Sequence, residues 1–208
     1  MFSFLYDTFF TILDYRLSYL EFFATLFGLA SVILATQKNG LTWPIGLVNI
    51  VLSFFLFHKF QLYADMLLQV FYLVLSISGW IYWSKAETEK KFETPFNLKK
   101  ILIGLGLVII LTFSIAYLQI QLPTLLPDFF KKAPSYPFWD ALIVSLSIYG
   151  TFLLARQIRE NWLVWLVVNS LACTLYAIKE MYFTSILYVL FFILAFVGWR
   201  NWKKSTVK

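Results

Sequence analysis

The stretch ENWLVWLVVN, residues 160–169, carries three side chains whose types and spacing suit ligand chemistry. Trp162, Trp165 and Asn169 stand at i, i+3 and i+7, so a helix puts them on one face. An indole offers a flat π surface and one N–H donor. Two indoles a turn apart can hold a flat ring, and hold it best when that ring is cationic. The Asn169 amide, one turn further along, offers a donor and an acceptor for hydroxyls or a carboxamide, and without a partner it would be costly at that depth. This face is expected to form one wall of a binding site, with Asn49 and Gln69 on the opposite wall. Trp162, which opens the segment, also suits an interfacial aromatic belt.

The elements that must position these groups are membrane-spanning. Of 208 residues, 61% are hydrophobic, 13% charged and 21% aromatic. A soluble domain is about half apolar and about a quarter charged, so this chain has too little polar surface to cover a core. The net charge of +6 comes from cations in short gaps between apolar runs, the pattern of membrane topology rather than of a nucleic-acid-binding face. Cys173 is the single cysteine, which excludes an intrachain disulfide and leaves a small packing residue. Met1–Ser18 contains Asp7, Asp14 and Arg16 and lacks a basic start, so it reads as an aromatic-rich interfacial helix or an exposed tail, not a cleavable signal.

Seven spans are expected, at about 19–37, 43–58, 64–83, 100–121, 138–156, 162–178 and 183–202, the second and sixth being short. One side then holds twelve Lys and Arg, the other five, which puts the N-terminus outside and the C-terminus in the cytoplasm. The chain also resembles itself. Leu34, Ala35, Gln37, Val48 and Asn49 find identical residues 120 positions on; from Tyr63 the offset becomes 119, as Gly79, Trp80 and Trp83 meet Gly198, Trp199 and Trp202. The expected fold class is therefore an all-α integral membrane protein: seven transmembrane helices in two parallel three-helix repeats joined by a connecting helix, 3+1+3. An interfacial segment at 1–18 leads into repeat 1 at 19–83, then a cytoplasmic loop and connecting helix at 84–121 and an external loop at 122–137. Repeat 2 at 138–202 and a tail at 203–208 follow. Parallel repeats about an axis along the membrane normal occur in small-solute transporters, with the substrate near the midplane.

Polar residues line up within the spans: Asp65, Gln69, Tyr72, Ser76 and Trp83 in the third; Thr42, Gly46, Asn49 and Ser53 in the second; Asp140, Ser147 and Thr151 in the fifth; Thr184 and Tyr188 in the seventh. The hydroxyls are expected to glue packed helices together, and Asp65, Asp140 and Glu21 to be hydrated or to cap helices near span ends. Trp80, Trp83, Trp199 and Trp202 suit an interfacial belt, and Gly46, Gly79 and Gly198 close helix packing. The fourth span has no polar stripe and reads as peripheral. There is no phosphate-binding loop, no assembled catalytic triad and no acid in mid-span, and one His far from one Cys makes a metal site improbable. Nothing visible couples the chain to an energy source, which favours a facilitator. A membrane enzyme acting on lipid or isoprenoid would show clustered acids or a His, and a non-transporting receptor would bind without flux.

The segments NWLVWLVVN (161–169), GLVN (46–49), QLYADMLLQVFY (61–72), PFWD (137–140) and the two GW-x-x-W endings resemble the PnuC nicotinamide riboside transporter family over nearly the whole chain, from about Glu21 to Trp202. The resemblance implies a bacterial inner-membrane homotrimer with one pathway per subunit and no cofactor. It implies facilitated diffusion of nicotinamide riboside, trapped by a cytoplasmic kinase. By matching position it makes Trp162, Trp165 and Asn169 substrate contacts, followed by Asn49 and Gln69 and then Tyr72 and Tyr188. Similar Pnu-type proteins carry thiamine, riboflavin or deoxynucleosides, so thiamine or another vitamin or nucleoside is the alternative cargo.

Overall fold

The computed structural model describes residues 7–12, 15–59, 63–89, 98–128, 130 and 135–204. Parts of the expected regions lie outside the described residues: the segment before residue 7, the middle of the cytoplasmic loop, residues 129 and 131–134 of the external loop, and the tail after 204. So do the Lys59 and Asp65 side chains.

The described residues form seven helices: α1 Tyr19–Thr36, α2 Thr42–Lys59, α3 Tyr63–Glu89, α4 Leu98–Leu125, α5 Pro137–Ala155, α6 Asn161–Ile178 and α7 Tyr182–Lys204. Before them, β1 Thr8–Ile12 and β2 Tyr15–Ser18 pair antiparallel. This hairpin corrects the expectation of an N-terminal helix or tail. The run Thr-Phe-Phe-Thr-Ile is β-branched and aromatic, a composition that suits a pleated strand better than a helix. Ser18 then starts α1 by accepting the Glu21 N–H on its Oγ at 3.3 Å.

Among the described residues, five helices are long and apolar enough to cross a membrane: Tyr19–Thr36, Lys99–Leu125, Pro137–Ala155, Asn161–Ile178 and Thr184–Trp202. The expected short second span gives a shorter apolar stretch, Thr42–His58. The last turns of α3 carry Lys85, Glu87 and Glu89, which dilute its apolar run. The protein is thus a multi-pass membrane protein whose body is helical.

Six helices pack in a closed order, α1 on α2, α2 on α3, α3 on α5, α5 on α6, α6 on α7 and α7 back on α1. The fourth helix packs against α5, where a Cβ at Gly104 would collide with the Tyr149 ring. Small residues let helices approach this closely. Leu102, Ile103, Ile110 and Phe113 of α4 face outward.

The most buried cluster lies where α1, α3, α5 and α7 end and α2 and α6 begin. It gathers Ala35, Trp43, Trp83, Ala155, Trp162, Ala195 and Trp202. Trp83 and Trp202 are 1% and 0% exposed, which corrects their assignment to a belt; Trp80 keeps an outward position. These two indoles satisfy their N–H groups on carbonyls of other helices: Trp83 Nε1 donates to Leu154 O at 3.2 Å and Trp202 Nε1 to Ala35 O at 2.9 Å.

Donors and acceptors in these two bonds stand 119 residues apart. At the same spacing, a Cβ on Gly79 would fall inside the Trp43 ring and one on Gly198 inside the Trp162 ring, so both glycines serve packing. The chain leaves α1 and α5 alike, through left-handed Lys38 (φ 55°) and Gln157 (φ 57°). These contacts and left-handed residues recur at a spacing of 119 residues, where the identities at 34–49 stand 120 apart. Asn49 stands where Val168 does, and Asn169 where Ile50 does. Two Asn in apolar segments drew the alignment one residue off; the Trp-on-Gly contacts are the stricter constraint.

Candidate functional site

A cavity of about 440 Å³ lies inside the six-helix ring. All seven residues singled out by sequence line it: Trp162, Trp165, Asn169, Asn49, Gln69, Tyr72 and Tyr188. Its volume falls in the range of small-molecule sites, about 300–1,000 Å³. Among the described residues the lining has no Asp, Glu, Lys, Arg or His.

From α6, Trp165 lies against Gly150 of α5, where a Cβ would stand 3.3 Å from its Nε1. Absence of a side chain at 150 seats the indole. Trp162 is 2% exposed, packs over Gly198 and meets the Trp202 ring edge-on at 5.7 Å. It forms the floor of the cavity and does not stand in a belt. Asn169 is 4% exposed and Gln69 8%. Neither amide has a hydrogen-bond partner among the described residues. Both face the cavity with donor and acceptor capacity unspent.

Asn49 differs. Its Nδ2 donates to Ala24 O of α1 at 2.7 Å, across Gly28, where a Cβ would stand 3.0 Å from that nitrogen. The bond ties α2 to α1 and leaves the amide oxygen to accept. Ser147 and Thr151 do not glue helices together, as expected of them, but donate to Ile143 O and Ser147 O within α5. They offer the cavity lone pairs only.

At the opposite end from the tryptophans, Tyr188 stacks on Tyr176 at 5.3 Å and 9°. Asp140 is held by Lys179 at 2.9 and 3.1 Å, an ion pair between the start of α5 and the end of α6 rather than a hydrated or capping carboxylate. Sequence reasoning missed Trp43, which lines the cavity opposite Trp162. The signal was present: Trp43 precedes Trp162 by 119 residues, and only the slipped alignment hid it. It also missed the α1–α2 clasp, in which Ser31 Oγ donates to Thr42 O and Thr42 Oγ1 to Ser31 O, both at 2.9 Å.

A ring of membrane helices around a cavity lined by indoles, phenols and amides describes a small-solute carrier. Residues 18–204 match the family model described as nicotinamide mononucleotide transporter, and the chain belongs to that family. It is 30% identical to the nicotinamide riboside transporter PnuC of Escherichia coli, over 92% of this chain and 87% of that one. It is 22% identical to the riboflavin/roseoflavin transporter RibM of Streptomyces davaonensis, over 93% of this chain and 88% of that one. The fold matches the crystal structure of the vitamin B3 transporter PnuC with a TM-score of 0.68 at 22% identity, covering 89% of this chain and 81% of that one. The protein is a membrane transporter and not an enzyme.

Proposed function

We propose that the chain carries nicotinamide riboside across the bacterial inner membrane by facilitated diffusion. The observation that carries this reading is the cavity lining: the partly buried indole of Trp165 together with two buried amides, Asn169 and Gln69, that have no partner among the described residues. The pyridinium ring lies on Trp165 as a cation on a π face. Its carboxamide and ribose hydroxyls take the Asn169 and Gln69 amides and the Asn49 oxygen, with Tyr72 and Tyr188 closing the far side. Among the described lining residues no acid faces the cation, and π faces and dipoles hold it.

The two three-helix units, 19–83 and 138–202, are parallel repeats about an axis along the membrane normal, with α4 as the connector. They rock about the cavity in alternating access. The reciprocal Trp83 and Trp202 bonds support this relation. Matched positions differ in chemistry: Asn49 against Val168, Ile50 against Asn169, Gln69 against Tyr188. A symmetric scaffold thus presents an asymmetric lining, which selects one orientation of an asymmetric ligand. The N-terminus lies outside and the C-terminus in the cytoplasm, the subunit assembles as a homotrimer within membrane lipid, and a cytoplasmic kinase makes uptake one-way by phosphorylating the riboside.

The RibM relative supports a second reading, in which the cavity takes another flat vitamin such as thiamine or riboflavin. Calorimetric titration of purified protein with nicotinamide riboside, thiamine and riboflavin separates the two. Binding of the riboside alone, weakened at least tenfold by Trp165→Ala, is the expected result; binding of another vitamin without the riboside would replace the cargo.

A further inference from the structure

The floor of the cavity is built from four tryptophans whose arrangement goes beyond packing. Trp43 and Trp162 line the cavity, and Trp83 and Trp202 lie behind them. The rings touch in series: Trp43–Trp83 at 5.5 Å and 85°, Trp83–Trp202 at 6.1 Å and 55°, Trp202–Trp162 at 5.7 Å and 81°. Lys38 Nζ covers the Trp202 ring from outside at 4.9 Å. All four rings are at most 3% exposed, so the series forms a continuous buried layer at this end of the cavity.

We propose that these four tryptophans are the gate at this end, held closed here, and that Trp43 sets its balance. The proposal rests on the alternating-access reading above. Two of the three ring contacts stay within one three-helix unit; the Trp83–Trp202 contact crosses between units. So do both indole hydrogen bonds, Trp83 to Leu154 O and Trp202 to Ala35 O. Rocking the units apart breaks that contact and both bonds and leaves the others intact.

The closed gate also carries a cost. The N–H groups of Trp43 and Trp162 are buried with no partner among the described residues. A buried donor without a partner destabilises the state that buries it, by about as much as one or two hydrogen bonds contribute. Opening admits water or a substrate oxygen to both donors. Two bonds are lost and two donors are satisfied, so closed and open states lie close in free energy. A carrier with no energy input needs that balance, because a deep well on either side would stall the cycle.

The same chemical change at two layers of the gate has opposite effects. Replacing Trp83 and Trp202 by Phe leaves a smaller aromatic ring at each position and deletes both closing bonds. Replacing Trp43 by Phe likewise leaves a smaller ring and deletes one unsatisfied donor, so the loss of packing is common to both variants and only the sign of the hydrogen-bond effect differs. The test places one cysteine at Ala195, a lining residue of the cluster, in a Cys173→Ser background. Labelling by a membrane-impermeant maleimide is followed without substrate, in right-side-out and inverted vesicles.

From the gate face, W83F/W202F is expected to raise the labelling rate about tenfold, the effect of losing two neutral hydrogen bonds, and W43F to lower it about threefold. Should the double variant fail to reach the membrane, W202F alone is compared with W43F. Rates that rise in both variants, as loosened packing would give, or that change in neither, overturn the gate. Riboside flux is measured separately. Absent flux with opposed labelling shifts removes the proposed cargo and keeps the gate; normal flux without those shifts removes the gate and keeps the cargo.

Discussion

Asn49 and Asn169 are both asparagines in short apolar helices, and the structure gives them different duties. Asn49 spends an N–H on Ala24 O at 2.7 Å and holds α2 to α1. Asn169, although 4% exposed, gives no hydrogen bond to the described protein. Truncation to Ala should therefore separate stability from affinity. Asn49→Ala loses one neutral bond, about 1 kcal/mol. For a chain of this size that lowers Tm by roughly 2–4 °C. Asn169→Ala removes no bond within the protein and should leave the ligand-free Tm within about 2 °C of the parent. With nicotinamide riboside the order reverses. Asn169→Ala loses one or two bonds to the ligand, so Kd rises about tenfold to a hundredfold, and Asn49→Ala weakens binding by less. Differential scanning fluorimetry without ligand and calorimetry with it read the two quantities independently. The reasoning is refuted if Asn169→Ala costs more stability than Asn49→Ala while its Kd stays unchanged.

Other substitutions test the scaffold. Gly79→Ala and Gly198→Ala drive a methyl group into the Trp43 and Trp162 rings, and each should cost about 1–3 kcal/mol of stability, read as a lower Tm in detergent. Gly150→Ala should shift Trp165 by a few tenths of an ångström, raising Kd several-fold with little change in Tm. The Asp140–Lys179 pair is partly exposed, so Lys179→Met should change stability by less than about 1 kcal/mol, with the small difference shrinking at high salt. Glu180 sits at φ 60° after α6, where glycine is unstrained, so Glu180→Gly should raise Tm by a few degrees.

How much of this was legible beforehand depended on which physical signal each residue gave. Period and composition sufficed for the helices and for the Trp162, Trp165 and Asn169 face, because apolar spans and helical spacing are local properties. Trp83 and Trp202 were misread because GW-x-x-W at a span end looks the same whether the ring meets lipid or the core; the deciding fact is a carbonyl on a distant helix. Trp43 was hidden by a one-residue slip, since identical Asn residues outweighed a Trp pair whose glycine partners lie 36 residues further on. The hydroxyls of Ser147 and Thr151 turned out to bond within their own helix, a choice of rotamer that sequence does not encode. The N-terminal hairpin ran against a reading built on scattered charges and aromatic richness, when the β-branched content among those aromatics was the better guide.

The central claim is downhill passage of the riboside through this cavity. It is tested most directly by uptake of labelled nicotinamide riboside into proteoliposomes, with and without an enclosed riboside kinase and ATP. The account predicts equilibration to the external concentration without kinase, accumulation as phosphorylated product with it, and loss of both in the Trp165→Ala/Asn169→Ala protein. Accumulation above the external concentration without kinase, or undiminished uptake by that double variant, would contradict it.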